Sequence, residues 1–382
     1  MTVPPPHDPF GSQPSGGGGG PQWAGPPPQG PGGPVPYGQP GGHWQQPSWA
    51  PPPNKGGKGK WILVGLALVA VIAVSVVGTV LVLRSDTNGG KSPNNGDGTS
   101  EFASANDTGP ANIITEDPTC EAWGKIARDM DAAVPEWNKL DYKVPGMDWT
   151  PEQRTVFENQ SAALTTAIVK VANLARQTPH RVMRELYGQF NAYAQAVIDS
   201  IPNYSSTDNE IVATLNQLSS ALNRVCEAIQ YRAAQQSAPL IATPGDPSDI
   251  QRSGGDAERA PSRFMTGSDS SCKDWMSITE AFDKDTEAWR GIDSKISVTE
   301  WTPDQRAVMD AVGQVMGTYA DDMEHLGRAS GNPIWEDFAV LAAQYMRAYV
   351  QSIPTYTVNA GYLASVSSRL AYAINWACKA ES

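Results

Sequence analysis

Four cysteines are the residues of this chain whose type and spacing indicate a definite chemistry. Cys120 and Cys226 are 106 residues apart, and the same distance separates Cys272 from Cys378. Four cysteines can pair in three ways, but one pair in each of two equally spaced segments favours a disulfide within each segment. Persistent disulfides form in oxidising compartments, so this pairing predicts that both segments lie outside the cytoplasm.

The other reactive side chains form no pattern typical of catalysis or metal binding. No HExxH, CxxC or phosphate-binding glycine loop occurs in the C-terminal part that holds the cysteines. His180 and His325 do not occupy matching positions of an internal repeat, which favours surface or core histidines over metal ligands. We therefore expect no catalytic residue, no metal ligand and no cofactor, and we predict that the protein is not an enzyme.

The internal repeat contains the cysteines and determines which residues accompany them. A constant offset of 152 residues aligns residues 120–226 with residues 272–378 without a gap, which indicates a duplication. The recurring tryptophans are Trp123 with Trp275, Trp137 with Trp289 and Trp149 with Trp301. The shared polar residues, named in the first copy, are Asp131, Asp141, Lys143, Thr150, Gln153, Arg154, Arg176, Ser200 and Asn223.

Each copy contains four segments with the periodicity of an amphipathic helix. Apolar residues step by three and four along the first and fourth segments, in the first segment from Cys120 to Trp137, and Pro135 near its end is expected to shorten or bend that helix. Thr150 followed three residues later by Gln153 predicts a capping box at the start of the second helix, and Thr302 repeats the signal. Short connections favour an antiparallel up-down-up-down bundle, which brings the two cysteines of each copy to one pole.

The predicted fold is all-α, with two tandem antiparallel four-helix domains, each with one disulfide, after one transmembrane helix and a disordered N-terminal tail. The predicted boundaries are 1–60 for a disordered Pro/Gly-rich cytoplasmic tail, 61–83 for the transmembrane helix, 84–115 for a linker, 116–235 for the first helical domain, 236–268 for a disordered linker and 269–382 for the second helical domain.

Residues 61–83 form an uncharged apolar run that is long enough to cross a lipid bilayer as a helix. A cleaved signal peptide is the alternative, but its apolar region is shorter and nearer the N-terminus. Lysines at positions 55, 58 and 60 precede the run, whereas only Arg84 and Lys91 follow it closely. The positive-inside rule therefore favours a cytoplasmic N-terminus and an extracytoplasmic C-terminus in the cell membrane, with the bilayer as one partner.

Charge and composition limit the remaining partners. Residues 1–115 hold equal numbers of acidic and basic residues, so the formal charge of −12 lies in residues 116–382 and argues against nucleic acid. Proline runs in the tail could bind a cytoplasmic proline-binding partner or form a plain tether. The repeated tryptophans could line a ligand groove, but their place in the apolar stripes favours core packing.

A proline- and glycine-rich tail, one apolar span and helical repeats with WTPxQR, TPHRVMRELY and SIPxY blocks resemble the uncharacterised proline-rich single-pass membrane proteins of actinobacteria with extracytoplasmic helical domains. The resemblance implies no functional residue. We predict a non-catalytic, membrane-anchored cell-envelope protein that acts as a binding or scaffold module for an unknown envelope protein or ligand. The alternatives are a transmembrane sensor that couples an external ligand to a cytoplasmic partner of the tail, and an extracytoplasmic enzyme.

Overall fold

The computed structural model describes residues 102–250 and 261–382, which form an all-α fold without a β-strand among them. The first copy contains α1 (Cys120–Ala133), α2 (Pro151–Gln177), α3 (Arg181–Ser200), α4 (Asp208–Gln230) and the short α5 (Ala233–Ser237). The second copy contains α6 (Ser271–Asp285), the short α7 (Glu287–Arg290), α8 (Pro303–Ala329), α9 (Pro333–Ser352) and α10 (Gly361–Ala380).

The second helix of each copy begins at the capping box that the sequence predicts. Thr150 Oγ1 accepts a hydrogen bond from the backbone N–H of Gln153 at 3.2 Å, and Gln153 Oε1 accepts one from the backbone N–H of Thr150 at 2.9 Å. Thr302 and Gln305 form the same pair of bonds at the start of α8. Because these bonds satisfy backbone donors that a helix start leaves open, the start of each helix is determined locally.

The first helix is shorter than its apolar stripe predicts. α1 ends at Ala133, two residues before Pro135, because a proline ring has no N–H to continue the helical hydrogen bonds. Trp137 lies beyond the helix in a 3-10 turn, Trp137–Lys139, and is still only 5% exposed. The stripe therefore predicts the burial of Trp137 correctly, and the helix is shortened as Pro135 predicts, so Trp137 lies in the turn that follows.

Each copy folds into an antiparallel four-helix bundle. In the first copy α1 and α3 each pack against both α2 and α4, and α6, α8, α9 and α10 repeat this arrangement in the second. The bundle brings the start of the first helix to the C-terminal part of the fourth. The Cys120–Cys226 and Cys272–Cys378 disulfides form there, each with its Cα atoms 5.3 Å apart. These are the two bonds that the repeat predicts.

The two bundles are not separate domains, because their fourth helices pack against each other. The contact between α4 and α10 is the most extensive of any helix pair in the described residues, and both copies belong to one compact unit. In its middle, Arg369 donates a hydrogen bond to Gln217 Oε1 at 3.3 Å. Gln217 and Arg369 occupy the same position in the two copies of the repeat. Equivalent positions therefore contact each other at the centre of the interface.

Reciprocal pairs on either side of this contact indicate an approximate two-fold axis. Glu227 lies close enough to Tyr362 to act on its phenol electrostatically. Their counterparts, Lys379 and Glu210, form the matching pair on the other side. An interface in which equivalent residues exchange partners is isologous, as in a symmetric dimer. The duplicated chain therefore has the arrangement of a dimer within one polypeptide.

A buried ionic cluster links the third helices of the two copies. Arg181 of α3 forms ion pairs with Glu185, at 3.6 Å, and with Asp337 of α9, and the three side chains are 1%, 4% and 2% exposed. Glu185 and Asp337 occupy matching positions, whereas the counterpart of Arg181 is Pro333. One arginine therefore pairs with two carboxylates. Burial raises the pKa of Glu185 to about 7 against the opposing charges of Arg181 and Arg184.

The described parts of both predicted linkers pack against the helices. In the 84–115 segment, Ile114 is buried, and in the 236–268 segment Phe264 is buried with its backbone N–H donating to Gln189 Oε1 at 2.8 Å. Isolated apolar residues among Pro, Gly and Ser gave no periodic signal of this burial. These parts of the chain belong to the folded body rather than to flexible connections.

The remaining predictions about the N-terminal part lie outside the described residues. They concern the tail at 1–60, the transmembrane helix at 61–83 and residues 84–101 of the first linker; residues 251–260 of the second linker also lie outside. Within 102–250 and 261–382, no helix combines the length and apolar character needed to cross a membrane.

Candidate ligand-binding cleft

Several of the polar residues shared by the two copies stabilise loops of the fold. Arg154 donates a hydrogen bond to the carbonyl of Gly146 at 3.0 Å and lies over the ring of Trp149. Arg306 donates to the carbonyl of Val298, the counterpart of Gly146, at 2.8 Å. Because the same contact occurs in both copies, the repetition of this arginine is explained by loop structure and does not indicate a ligand site.

Three further shared residues also have local partners. Asp141 Oδ1 accepts a hydrogen bond from the backbone N–H of Lys143 at 3.0 Å, within the first loop. Ser200 donates to the carbonyl of Val197 at 2.9 Å near the end of α3. These contacts agree with the structural interpretation that the sequence favours for the shared polar residues.

The repeated tryptophans lie in the core. Trp123 and Trp275 are fully buried, and Trp149 stacks on Phe157 with ring centroids 3.9 Å apart. The indole N–H of Trp123 donates to Asn223 Oδ1 at 2.7 Å, so one of the shared polar residues satisfies a buried tryptophan. Core packing is the use that the sequence favours for these residues. Trp123 and Trp137 also form part of the wall of a cleft.

This cleft, with a volume of about 750 Å³, opens between α1 and α4 in the first copy. It extends from Cys120 to Asn138 along α1 and the turn that follows, and from Leu215 to Gln230 along α4. Its apolar floor consists of Trp123, Val134, Leu164, Phe190 and Leu215. The volume lies within the range of ligand pockets, which is about 300 to 1,000 Å³.

At three positions that line the cleft the second copy has a larger side chain: Met276 for Gly124, Phe282 for Met130 and Tyr372 for Ser220. At three other lining positions it has a smaller one: Ala342 for Phe190, Ser367 for Leu215 and Ser368 for Asn216. Phe282 stacks on Tyr319 with ring centroids 4.1 Å apart, and the hydroxyl of Tyr372 donates to Asp283 Oδ1. Aromatic rings therefore take the places of Met130 and Ser220 in the second copy.

Three polar groups that line the cleft have no partner among the described residues. The indole N–H of Trp137 is buried without a hydrogen bond. Gln160 is only 7% exposed and makes no hydrogen bond, whereas its counterpart is the apolar Val312. Asp131 is exposed to solvent and unpaired, and desolvation raises its pKa, whereas its counterpart, Asp283, accepts the hydrogen bond from Tyr372. Buried polar groups ordinarily find partners, so the indole N–H of Trp137 favours a ligand in the cleft.

Charged residues from both copies border the cleft. Arg224 and Glu227 of α4 form an ion pair at 2.5 Å, and Arg369 of α10 reaches the cleft from the second copy. Apolar floor, amide groups and paired charges together suit noncovalent binding of an amphipathic ligand. Among residues 102–250 and 261–382, no group of three His, Cys, Asp or Glu side chains is arranged to hold a metal ion.

The shared residues that line the cleft, Trp123, Asp131, Trp137 and Asn223, do not by themselves reveal it, because their types and spacing match no known site. The informative positions are those at which the copies differ in side-chain volume, such as Ser220 and Tyr372. His180 Nε2 lies 2.7 Å from the carbonyl oxygen of Glu116, a contact with the segment that precedes α1.

A model of the family of mycobacterial ESX-1 associated proteins matches residues 102–382 of the chain. The chain belongs to this family. The matched range begins at the first described residue of the folded body and includes both copies, so the family shares the duplicated unit. The mycobacterial family agrees with the actinobacterial resemblance of the sequence.

A full-length relative extends the similarity beyond this unit. The chain is 39% identical over 329 residues to an uncharacterized protein of Mycolicibacterium smegmatis (strain MKD8), and the match covers 85% of this chain and 87% of the relative. No solved structure matches the chain significantly. The names of the family and of the relative state no catalytic activity.

Proposed function

We propose that this ESX-1 associated family member is a non-catalytic binding module of the mycobacterial cell envelope. In this proposal residues 61–83 anchor the chain in the membrane, residues 1–60 lie in the cytoplasm, and both bundles lie on the outer side. The cleft of the first copy is the ligand site, and the second copy supports it through the contact between α4 and α10.

One observation carries the proposal: a cleft of ligand size is open in the first copy, and larger side chains take three of its lining positions in the second copy. Gly124 and Ser220 leave space where Met276 and Tyr372 pack in the second copy. The larger side chains of the second copy show that this fold can make packing contacts that the open cleft of the first copy lacks. The cleft therefore lowers the stability of the first copy unless a ligand binds in it. The buried indole N–H of Trp137, which lines the cleft, adds a polar group that has no partner among the described residues.

The disulfides and the charges around residues 61–83 support an extracytoplasmic location of the two bundles. The two disulfides favour an oxidising compartment, and the lysines before residue 61 favour a cytoplasmic N-terminus. The family description associates its members with ESX-1, and we extend that association to this chain and its ligand. A cytoplasmic proline-binding partner of the tail would couple the anchored module to the cell interior.

Site-specific crosslinking in living mycobacterial cells tests the ligand site. A photoreactive amino acid at Ser219, which lines the cleft, should form an adduct with one defined molecule. The same group at the exposed Lys284 of α6 should not form that adduct. Ser220→Tyr, which introduces the residue of the second copy, should abolish the adduct because its ring fills the cleft. Identical adducts from Ser219 and Lys284, or none from Ser219, would contradict the proposal.

Thiol labelling tests the orientation. All four native cysteines are in disulfides, so Ser219→Cys introduces the single free thiol of the chain. A membrane-impermeant maleimide should label this variant in intact cells, with Lys284→Cys as a second outward-facing reporter. Labelling of both variants only after lysis would place the bundles in the cytoplasm and overturn the anchored, outward-facing arrangement.

A further inference from the structure

The second copy contains a natural occupant of the space that is open in the first. Tyr372 lies on α10 at the position of Ser220, and its hydroxyl donates a hydrogen bond to Asp283 Oδ1 on α6. Arg290 donates to the same carboxylate oxygen at 3.2 Å. A phenol ring between the first and fourth helices therefore connects them in the second copy by packing and by a hydrogen bond.

The first copy retains the acceptor but not the ring. Asp131 occupies the position of Asp283, lines the cleft and has no partner among the described residues, while Ser220 replaces the tyrosine. The bundle is otherwise closed in the same way, by a disulfide between matching cysteines. The first copy thus lacks the phenol that Tyr372 provides in the second copy.

We propose that the cleft binds a tyrosine side chain presented by a partner protein, with the ring between α1 and α4 and the hydroxyl donating to the Asp131 carboxylate. This inference rests on the proposed function, since it names the ligand of the same cleft. The proposed hydrogen bond is the one that Tyr372 donates to Asp283 within the chain, but here the tyrosine belongs to a second molecule.

The dimensions of the cleft favour a peptide segment over a free phenol. α1 has 14 residues and is about 21 Å long, and the cleft follows its whole length, so a single ring fills only part of the space. Gln160, Asn216 and Asn223 line the remainder. The amide of Gln160 can both donate and accept hydrogen bonds, and that of Asn223 can still donate while its oxygen accepts from Trp123, which matches the N–H and C=O groups of a peptide backbone.

Discrimination between tyrosine and phenylalanine should come from Asp131. A phenylalanine ring would cover the carboxylate without supplying a donor, and a covered carboxylate without a partner is strongly disfavoured. We expect a tyrosine peptide to bind at least about tenfold more tightly than the matched phenylalanine peptide. Asp131→Asn keeps the shape of the side chain and should reduce this preference.

Protection of a cleft thiol in the full-length chain provides the test. Ser219→Cys is titrated with a five-residue peptide that carries tyrosine between alanines, with its phenylalanine counterpart, and with p-cresol, and the rate of maleimide labelling is measured. The tyrosine peptide should slow labelling at concentrations at least about tenfold lower than the phenylalanine peptide. Lys284→Cys, outside the cleft, should be labelled at an unchanged rate.

Equal protection by the two peptides, or protection by neither, overturns the inference. Protection by p-cresol at lower concentrations than the tyrosine peptide shows a site for small phenols and overturns the assignment to a partner protein. Adding Ser220→Tyr to the labelled variant should slow labelling without any ligand, and Gly124→Met is the second filling variant if the first fails to fold. A crosslinked molecule at Ser219 without any tyrosine preference would leave the proposed function intact and reject this inference alone.

Discussion

Arg154 and Arg306 show what repetition means at the scale of single residues. Arg154 holds the carbonyl of Gly146 and lies 5.6 Å from the centroid of the Trp149 ring. We predict that Arg154→Ala lowers the free energy of unfolding by about 1 to 3 kcal/mol, because a charged hydrogen bond and a cation–π contact are lost. Urea unfolding measures this loss.

Arg154→Lys is the matched control for this prediction. It keeps the positive charge but not the planar group that stacks on the indole, so an intermediate loss of stability is expected. Labelling of a thiol in the cleft should be unchanged in both variants. A loss of ligand binding at unchanged stability would show that the shared arginine belongs to a binding site after all.

Glu185 should make stability depend on pH. Burial raises its pKa from the usual 4.5 to about 7, while Arg181 and Arg184 oppose the shift, Asp107 adds to it and Asp337 shares Arg181. Between about pH 4.5 and 7 the folded state therefore binds more protons at this group than the unfolded state does. The stability contributed by protonated Glu185 is complete below pH 4.5 and is lost as the pH rises through 7.

Glu185→Gln isolates this effect, because the amide cannot ionise and has a similar size. Relative to the variant, the wild-type chain should lose roughly 3 kcal/mol between pH 4.5 and 7, as measured by denaturant unfolding at each pH. Other carboxylates titrate in both proteins and cancel in the difference. A difference between the two curves that is independent of pH would contradict the predicted protonation.

At the scale of helices, the sequence predicts whatever is determined locally. The capping boxes at Thr150 and Thr302 involve residues three apart, so their starting points could be read from the chain. The cysteine pairs follow from the repeat and from antiparallel packing. The burial of Trp137 and the shortening of the helix at Pro135 were predictable, but the 3-10 turn that holds Trp137 was not.

The contact between α4 and α10 could not be predicted in this way. α10 is buried around nearly its whole circumference, but it is rich in alanine and serine. Small side chains allow two helices to approach closely and contribute little to an apolar stripe, so the periodicity shows only the face toward the bundle's own core. The cleft could not be predicted for a related reason, because small side chains such as Gly124 and Ser220 create it and small side chains give no periodic signal.

Removal of one disulfide should destabilise more than one bundle. We predict that replacing both Cys120 and Cys226 by Ser lowers stability by roughly 2 to 5 kcal/mol, because the unfolded chain gains freedom. As α4 also packs on α10, both copies should unfold in one transition at a lower denaturant concentration. Loss of the first copy alone, with the second unfolding as before, would show that the bundles are thermodynamically independent.

At the scale of the whole molecule, the approximate two-fold axis predicts how one copy behaves alone. A fragment of residues 102–250 exposes the face of α4 that α10 covers in the full chain. Because the interface is isologous, a second fragment can cover that face. We expect a dimer in analytical ultracentrifugation at micromolar concentrations, whereas a stable monomer would support the two separate domains that the repeat by itself indicates.

Gln217→Glu distinguishes the two situations. In a dimer of the fragment the substitution brings two carboxylates together at the axis, so association should weaken. In the full-length chain the same carboxylate faces Arg369, and stability should be unchanged or slightly higher. Equal effects in both contexts would indicate that the fragment associates through another surface.

Tyr372 in the second copy also affects how many ligands the molecule can bind. A symmetric dimer of identical bundles would offer two equal clefts and could link two ligands, or gather a multivalent partner into clusters. With Tyr372 in place, the second copy does not repeat the space next to Asp131 that Ser220 leaves in the first. If the proposed function is right, each chain holds a single partner, so occupancy rises in proportion to the number of chains rather than through crosslinking.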